Sequence, residues 1–358
     1  MQQEGKQLDF TGQSIYVGID VGKRNWSVSI MTKDFEHKTF TQPPEAESLV
    51  KYLRRNFPGG DYKTVYEAGF SGYSAHEELV EQGVCSMVVS PAEVPTKGSE
   101  KVRKTNPVDA RKLARSLRNG ELKGIYVPSK QAREDRALVR MRQAFVRKQT
   151  RVKNQIKSFL FFHGMKLPED IDRRYWSLRF IKWLESLTDN EQSSGSYALK
   201  MLMEELKNLR KMILEVTEKI RRLSQEERYK EDAANVVTMP GFSTVSAMTV
   251  LTEIIDINRF GTRFNLRAYF GIVPGQHSTG DDETVTGLTP MRNAMLRNII
   301  VEGSWIAVRK DPALTIAFTQ LTKRMKKDEA IIRIARKMID RLWYVLKNKE
   351  AYQIGMVE

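Results

Sequence analysis

Eight aliphatic side chains, Leu199, Leu202, Leu206, Leu209, Ile213, Val216, Ile220 and Leu223, follow one another at spacings that alternate three and four without a break. A mean spacing of 3.5 keeps all of them on one stripe of an α-helix, the a/d seam of a coiled coil, whereas a strand would scatter them over both faces. Such a seam has to be covered. It pairs either with another helix of the same chain or with a second chain, and the sequence leaves both open. A Ser/Gly-rich break at 192–196 marks where this helix starts.

The first part of the chain is built differently. Residues 14–41, SIYVGIDVGKRNWSVSIMTKDFEHKTFT, are short β-rich runs separated by Gly, Lys and Asp turn residues, which predicts three antiparallel strands. Leu49, Val50 and Leu53 have helical spacing within 44–56, and YKTVYEAG, YSAHEELVEQG and VCSMVVS then repeat a strand, helix, strand order to about Ser90. This is an α/β domain, expected over 14–128. Its last pieces are a Pro-, Gly- and charge-rich loop, PAEVPTKGSEKVRKTNP, and a helix from Val108 to Leu117.

From about Gln131 the strand signals vanish. A helical region is expected over 131–230, opening with the most basic segment of the chain, a helix around 133–162. It carries Arg140, Arg142, Arg147, Lys148 and Arg151 among its cations. The last region, 236–348, is expected to be mainly helical. There MPGFSTVSAMTVLTEI reads as a turn into a helix, in the manner of a helix-hairpin-helix element whose backbone N–H groups can reach a phosphate. Residues 271–293, GIVPGQHSTGDDETVTGLTPMRN, break the helical pattern and are expected to be a long loop before a helix from Ala294 to about Arg309.

Charge narrows the partner. With 59 Lys and Arg against 44 Asp and Glu the net charge is +15, as in chains that must approach a polyanion, so nucleic acid is the expected partner. A membrane is the competing explanation for such charge. No apolar run approaches the ~20 residues of a bilayer span, and the opening MQQEGKQLDFTGQ has no signal-peptide core, so the expectation is a cytoplasmic, nucleoid-associated protein without a membrane partner. Cys85 is the single cysteine, which excludes an internal disulfide and a cysteine zinc cluster.

Three acids have the placement that phosphodiester chemistry needs. Asp20 closes the apolar strand IYVGID, Glu67 stands in the same relation to TVYEAG, and Asp109 sits on the first turn of a later helix. Carboxylates converging from two strands and a helix are what a divalent metal site for phosphoryl chemistry requires. Each acid alone has an ordinary structural reading, as a turn residue, a strand-end charge or a helix N-terminal acid.

GIDVGK, YEAG, KTNPVDARKLA, MPGFSTVSAMTVLTEI, RFGTRFNLRAYFGIVPGQHSTG and LRNIIVEGSW, in that order, resemble the Piv/MooV group of DEDD transposases and DNA invertases, the IS110 family of insertion sequences. The resemblance runs from about residue 14 to 345. It implies an RNase H-like (RuvC-like) α/β N-terminal domain, a helical coiled-coil middle and a mainly α C-terminal transposase domain bearing a nucleophilic hydroxyl. It also implies Mg²⁺ as cofactor, double-stranded DNA as substrate, a structured non-coding guide RNA and a homo-oligomer. Carried over by position, the metal-binding acids are Asp20, Glu67 and Asp109. The remaining acid position holds Asn106, whose amide offers a neutral oxygen. The nucleophile position falls on Thr279, with Ser278 beside it and His277 as a candidate proton acceptor. A hydroxyl far along the chain from the acids must act with them, within one chain or between subunits.

Arg140, Arg147, Lys148 and Arg151 on the basic helix and Arg263, Arg267, Arg292 and Arg297 around the hydroxyls are the expected nucleic-acid contacts, joined by the cluster Lys323, Arg324, Lys326 and Lys327. Two other readings remain: a RuvC-like junction nuclease that uses the acids alone, and a nucleic-acid-binding descendant in which Asn106 and Thr279 have ended catalysis.

Overall fold

The structure, a computed structural model, describes residues 9–95, 105–168, 176–188, 193–279, 282–290 and 292–355. The chain divides into two compact units, Met1–Val127 and Pro128–Glu358.

The first unit is a five-stranded mixed sheet. β1 (Ser14–Val21), β2 (Trp26–Met31) and β3 (Glu36–Gln42) run antiparallel as expected, and β4 (Asp61–Glu67) and β5 (Cys85–Val89) add parallel to β1, giving the order β3-β2-β1-β4-β5. Helices α1 (Ala46–Asn56) and α2 (Ser74–Glu81) supply the two crossovers. Their Leu49, Val50, Leu53 and Leu79 pack with Ile15, Val17 and Ile19 of β1. The odd residues of β1 therefore face these helices, and its even residues point to the opposite face.

That opposite face carries α3 (Asn106–Arg118). Pro107 near the helix start, Asp109 in the first turn and Arg115 and Arg118 in the last complement the helix ends. Gly18 allows the close approach, because a Cβ there would run into the Ala110 carbonyl oxygen and the Ala114 nitrogen, both backbone atoms. Val65 of β4 and Leu113 of α3 pack on the same side. Gly18→Val is expected to lower the stability of this unit by about 3 kcal/mol, the upper end of the overpacking range because backbone must move. Thermal unfolding followed at the sheet's circular dichroism band checks it.

Among its described residues the second unit is helical but for one hairpin. α4 (Lys130–Phe162) and α6 (Ser194–Leu223) pack along each other, with the short α5 (Leu178–Ser186) beside them. Val139 of α4 clusters with Ile220 and Leu223, and Leu160 with Leu199, so the two long helices are antiparallel. The seam is covered within the chain: Leu199, Leu206, Leu209, Ile220 and Leu223 are buried, and Leu202, Ile213 and Val216 are half-buried.

Helices α7 (Glu227–Val237), α8 (Thr244–Ile254), α9 (Arg263–Phe270), α10 (Ala294–Lys310), α11 (Pro312–Thr322) and α12 (Lys327–Asn348) complete the unit around one apolar core. The expected loop at 271–293 is corrected. Its described residues form an antiparallel hairpin, β6 (Pro274–Thr279) and β7 (Asp282–Leu288), with His277 opposite Thr284. Thr and Val in ETVTG favour extended backbone, and pairing with a neighbouring strand satisfies N–H and C=O groups that a loop would leave to water.

Candidate functional site

β1 and β4 are paired in register up to Ile19 and Tyr66, so Asp20 and Glu67 occupy equivalent positions, each one residue beyond. Asp20 lies two residues past Gly18 and Glu67 two past Val65, so both acids project on the α3 face. Both are half-buried. Asp109 lies on the first turn of α3, and Asn106, one turn earlier, is exposed.

Lys112 ties this face together. Its Nζ donates to Glu67 Oε1 at 3.2 Å and to Asp109 Oδ1 at 3.3 Å, with only 8% of the side chain exposed. The two carboxylate oxygens are thus at most the sum of those distances, about 6.5 Å, apart. Burial works against the Lys112 charge, but the fields and hydrogen bonds of Glu67 and Asp109 outweigh it and hold the ammonium pKa above its ordinary value. Glu67 and Asp109 thus meet on one ammonium, and among the described residues no group of three or more Asp, Glu, His or Cys is placed to hold a metal. Sequence reasoning passed over Lys112; its signal was a lysine one turn after Asp109, on the side of α3 that carries Leu113.

The hydroxyl-bearing segment sits on β6, where Ser278 pairs with Glu283 and Thr279 with Asp282 in backbone register. The feet of this hairpin are clamped. Arg297 of α10 donates to the Gly271 carbonyl and, at 2.8 Å, to the Thr289 carbonyl, while Arg336 Nε donates to the Ile272 carbonyl at 2.7 Å. Gly271 has φ +72°, and a Cβ there would strike Arg292 and the Arg297 guanidinium.

Several cations expected to meet nucleic acid have partners inside the protein. Arg140 makes a two-pronged bond to Glu253 at 2.7 and 2.9 Å, Arg267 a two-pronged bond to Asp340, and Arg297 the hairpin clamp. Guanidinium forks match carboxylates and paired carbonyls, and burial of those acceptors requires a donor. Arg263 is exposed and stacks over Trp343, and Arg147, Lys148, Arg151 and Arg292 are exposed. Lys323, Arg324, Lys326 and Lys327 are exposed as well.

Glu253 is the second residue that sequence reasoning missed. It is fully buried on α8 and also accepts from Asn293 Nδ2 at 2.8 Å, with Arg136 3.9 Å away. Its signal was a single charge in the otherwise uncharged TVSAMTVLTEI.

Comparison with known proteins agrees with the order of these pieces. A family model of the IS110 DEDD transposases matches residues 17–163, and a second, described as the transposase IS116/IS110/IS902 family, matches residues 233–320. The Sinorhizobium fredii protein y4qE, named provisionally as a transposase, is 28% identical over 93% of this chain and 88% of its own length. The transposase for insertion sequence element IS1111A of Coxiella burnetii is 25% identical over 76% of this chain and 74% of its own. The transposase for insertion sequence element IS1328 of Yersinia enterocolitica is 24% identical over 56% of this chain and 58% of its own.

Proposed function

The chain belongs to the IS110 family of insertion-sequence transposases, and from that premise we propose that it cuts and rejoins DNA through a covalent protein–DNA ester. The observation that carries this reading is the meeting of Glu67 and Asp109 on one cation, at the end of a strand and the start of a helix. Mg²⁺ is commonly held by one or two carboxylates together with substrate phosphates. Two carboxylates that already share a buried ammonium have the charge for such an ion. Glu67 and Asp109 would hold it, and Asp20, on the same face, would be the further ligand. When bound, the ion would polarise a phosphoryl oxygen and stabilise the charge that develops there.

The attacking oxygen comes from Ser278 or Thr279. As its bond to phosphorus forms, the phosphorus–oxygen bond to one sugar breaks, and the departing sugar oxygen takes up a proton. His277 or water accepts the proton of the attacking hydroxyl. Rejoining is the same exchange in reverse, with a DNA hydroxyl displacing the protein oxygen. Sequence choice falls to a structured RNA that pairs with DNA, so the exposed Arg147, Lys148, Arg151, Arg263 and Arg292 need to contact backbone only. A homo-oligomer is the expected working form.

A denaturing gel tests the chemistry. With DNA carrying the element's ends, the element's RNA and Mg²⁺, a protein band carrying DNA is expected, falling to background in either Ser278→Ala or Thr279→Ala. The variant that loses the band names the nucleophile. Cleavage that survives removal of both hydroxyls would instead favour a junction nuclease acting through the acids alone. No cleavage even in Asn106→Asp combined with Thr279→Ser would favour a nucleic-acid-binding descendant.

A further inference from the structure

A cleft of about 440 Å³ opens in the second unit where α4, α6 and the first turn of α8 come together. Arg142 of α4 and Arg221 of α6 both line it, with Thr217, Ser243 and Ser246 supplying hydroxyls. Arg142 Nε donates to Thr217 Oγ1 at 2.7 Å, which fixes its guanidinium against α6. Burial and then the charge of Arg221 pull the Arg142 pKa below its ordinary value, as two facing cations must.

The neighbours of this pair make it unusual. On α4, Arg136 and Arg140 lie against Glu253, and across from it Arg228 is paired with Asp135 at 3.0 Å. Arg142 and Arg221 have no carboxylate within ion-pair distance among the described residues. Two like charges held at one cleft raise the energy of the empty protein, and an anion between them removes that cost. The cleft offers two guanidinium groups and the hydroxyls of Thr217 and Ser243, a donor set for a tetrahedral oxyanion carrying a single charge.

We propose that this cleft seats one backbone phosphodiester of a nucleic acid, held by Arg142 and Arg221. The inference rests on the reading of the chain as a nucleic-acid recombinase and adds a specific contact to it. DNA and RNA present the same group, so the experiment separates them.

Fluorescence anisotropy of the full chain would be measured in EDTA over a salt series, with a labelled DNA duplex in one arm and a labelled RNA hairpin in the other. Arg142→Gln, Arg221→Gln and, as a control of equal charge change, Lys211→Gln would be compared. Each arginine variant is expected to weaken binding about tenfold or more in the arm whose backbone uses the cleft. The slope of log affinity against log salt should fall by about 1, with the control unchanged. Arg221 is exposed, so its variant folds even if Arg142→Gln does not, and relief of like-charge repulsion leaves its melting temperature level or raised. Affinities and slopes equal to the control in both arms overturn the seat while leaving the recombinase reading intact. Absence of binding by the unmodified chain to either nucleic acid overturns both.

Discussion

Glu253→Ala is expected to lower the stability of the helical unit by about 3 kcal/mol, or roughly 6 to 12 °C in melting temperature for a unit of this size. Glu253 is fully buried, yet it sits at the junction of three elements. It accepts both prongs of Arg140 from α4 and the side-chain amide of Asn293, which also caps α10 by accepting from the Met295 and Leu296 nitrogens. Its own backbone carbonyl accepts from Tyr269 at 2.9 Å. Removing one partner of a buried ion pair costs about 3–5 kcal/mol, because the other is left uncompensated. The low end applies here, since 56% of the Arg140 side chain is exposed and can turn to water, whereas Arg136 at 15% cannot. Glu253→Gln keeps an acceptor for Arg140 and should cost about half as much. Urea unfolding of both variants checks the order, and an alanine variant as stable as the parent would remove Glu253 from this role.

The parts of this fold that were legible in the sequence are those where one periodicity has one physical solution. SIYVGIDV and WSVSIM were read as strands because they are short β-rich runs bounded by turn residues, and the 3,4 spacing from Leu199 to Leu223 gave α6 because only a helix lines those residues up. The hairpin at β6 and β7 was not legible. Gly, Ser and Pro there signal irregular chain, while strand pairing is decided by a partner several residues away. Charge was legible in amount but not in allegiance. Arg140, Arg267 and Arg297 look like any basic residue in a DNA-facing chain until Glu253, Asp340 and the Gly271 carbonyl are placed beside them. The placement of Asp20, Glu67 and Asp109 was legible because strand ends and a helix start are recognisable locally. Lys112 was not, because its importance comes from Glu67, 45 residues earlier.

Asp109→Asn and Glu67→Gln are each expected to lower strand cleavage by on the order of 10²-fold or more, since metal stabilisation of phosphoryl charge is worth several kcal/mol. Lys112→Met should act in the opposite direction on metal binding. Without the ammonium, Glu67 and Asp109 face each other at 6.5 Å or less. At an effective dielectric of about 20 that repulsion is about 2.5 kcal/mol or more, which lowers the melting temperature in EDTA. A divalent ion would replace the lost charge, so Mg²⁺ should raise the melting temperature of Lys112→Met more than that of the parent. In Asp109→Asn and Glu67→Gln it should raise it less, because one anionic ligand is gone. Thermal unfolding with and without Mg²⁺, read beside a cleavage assay, separates a metal site from a purely structural ion pair. A structural pair predicts that Mg²⁺ leaves every melting temperature where it was and that Asp109→Asn cleaves as the parent does; either result would end the assignment of these acids to catalysis.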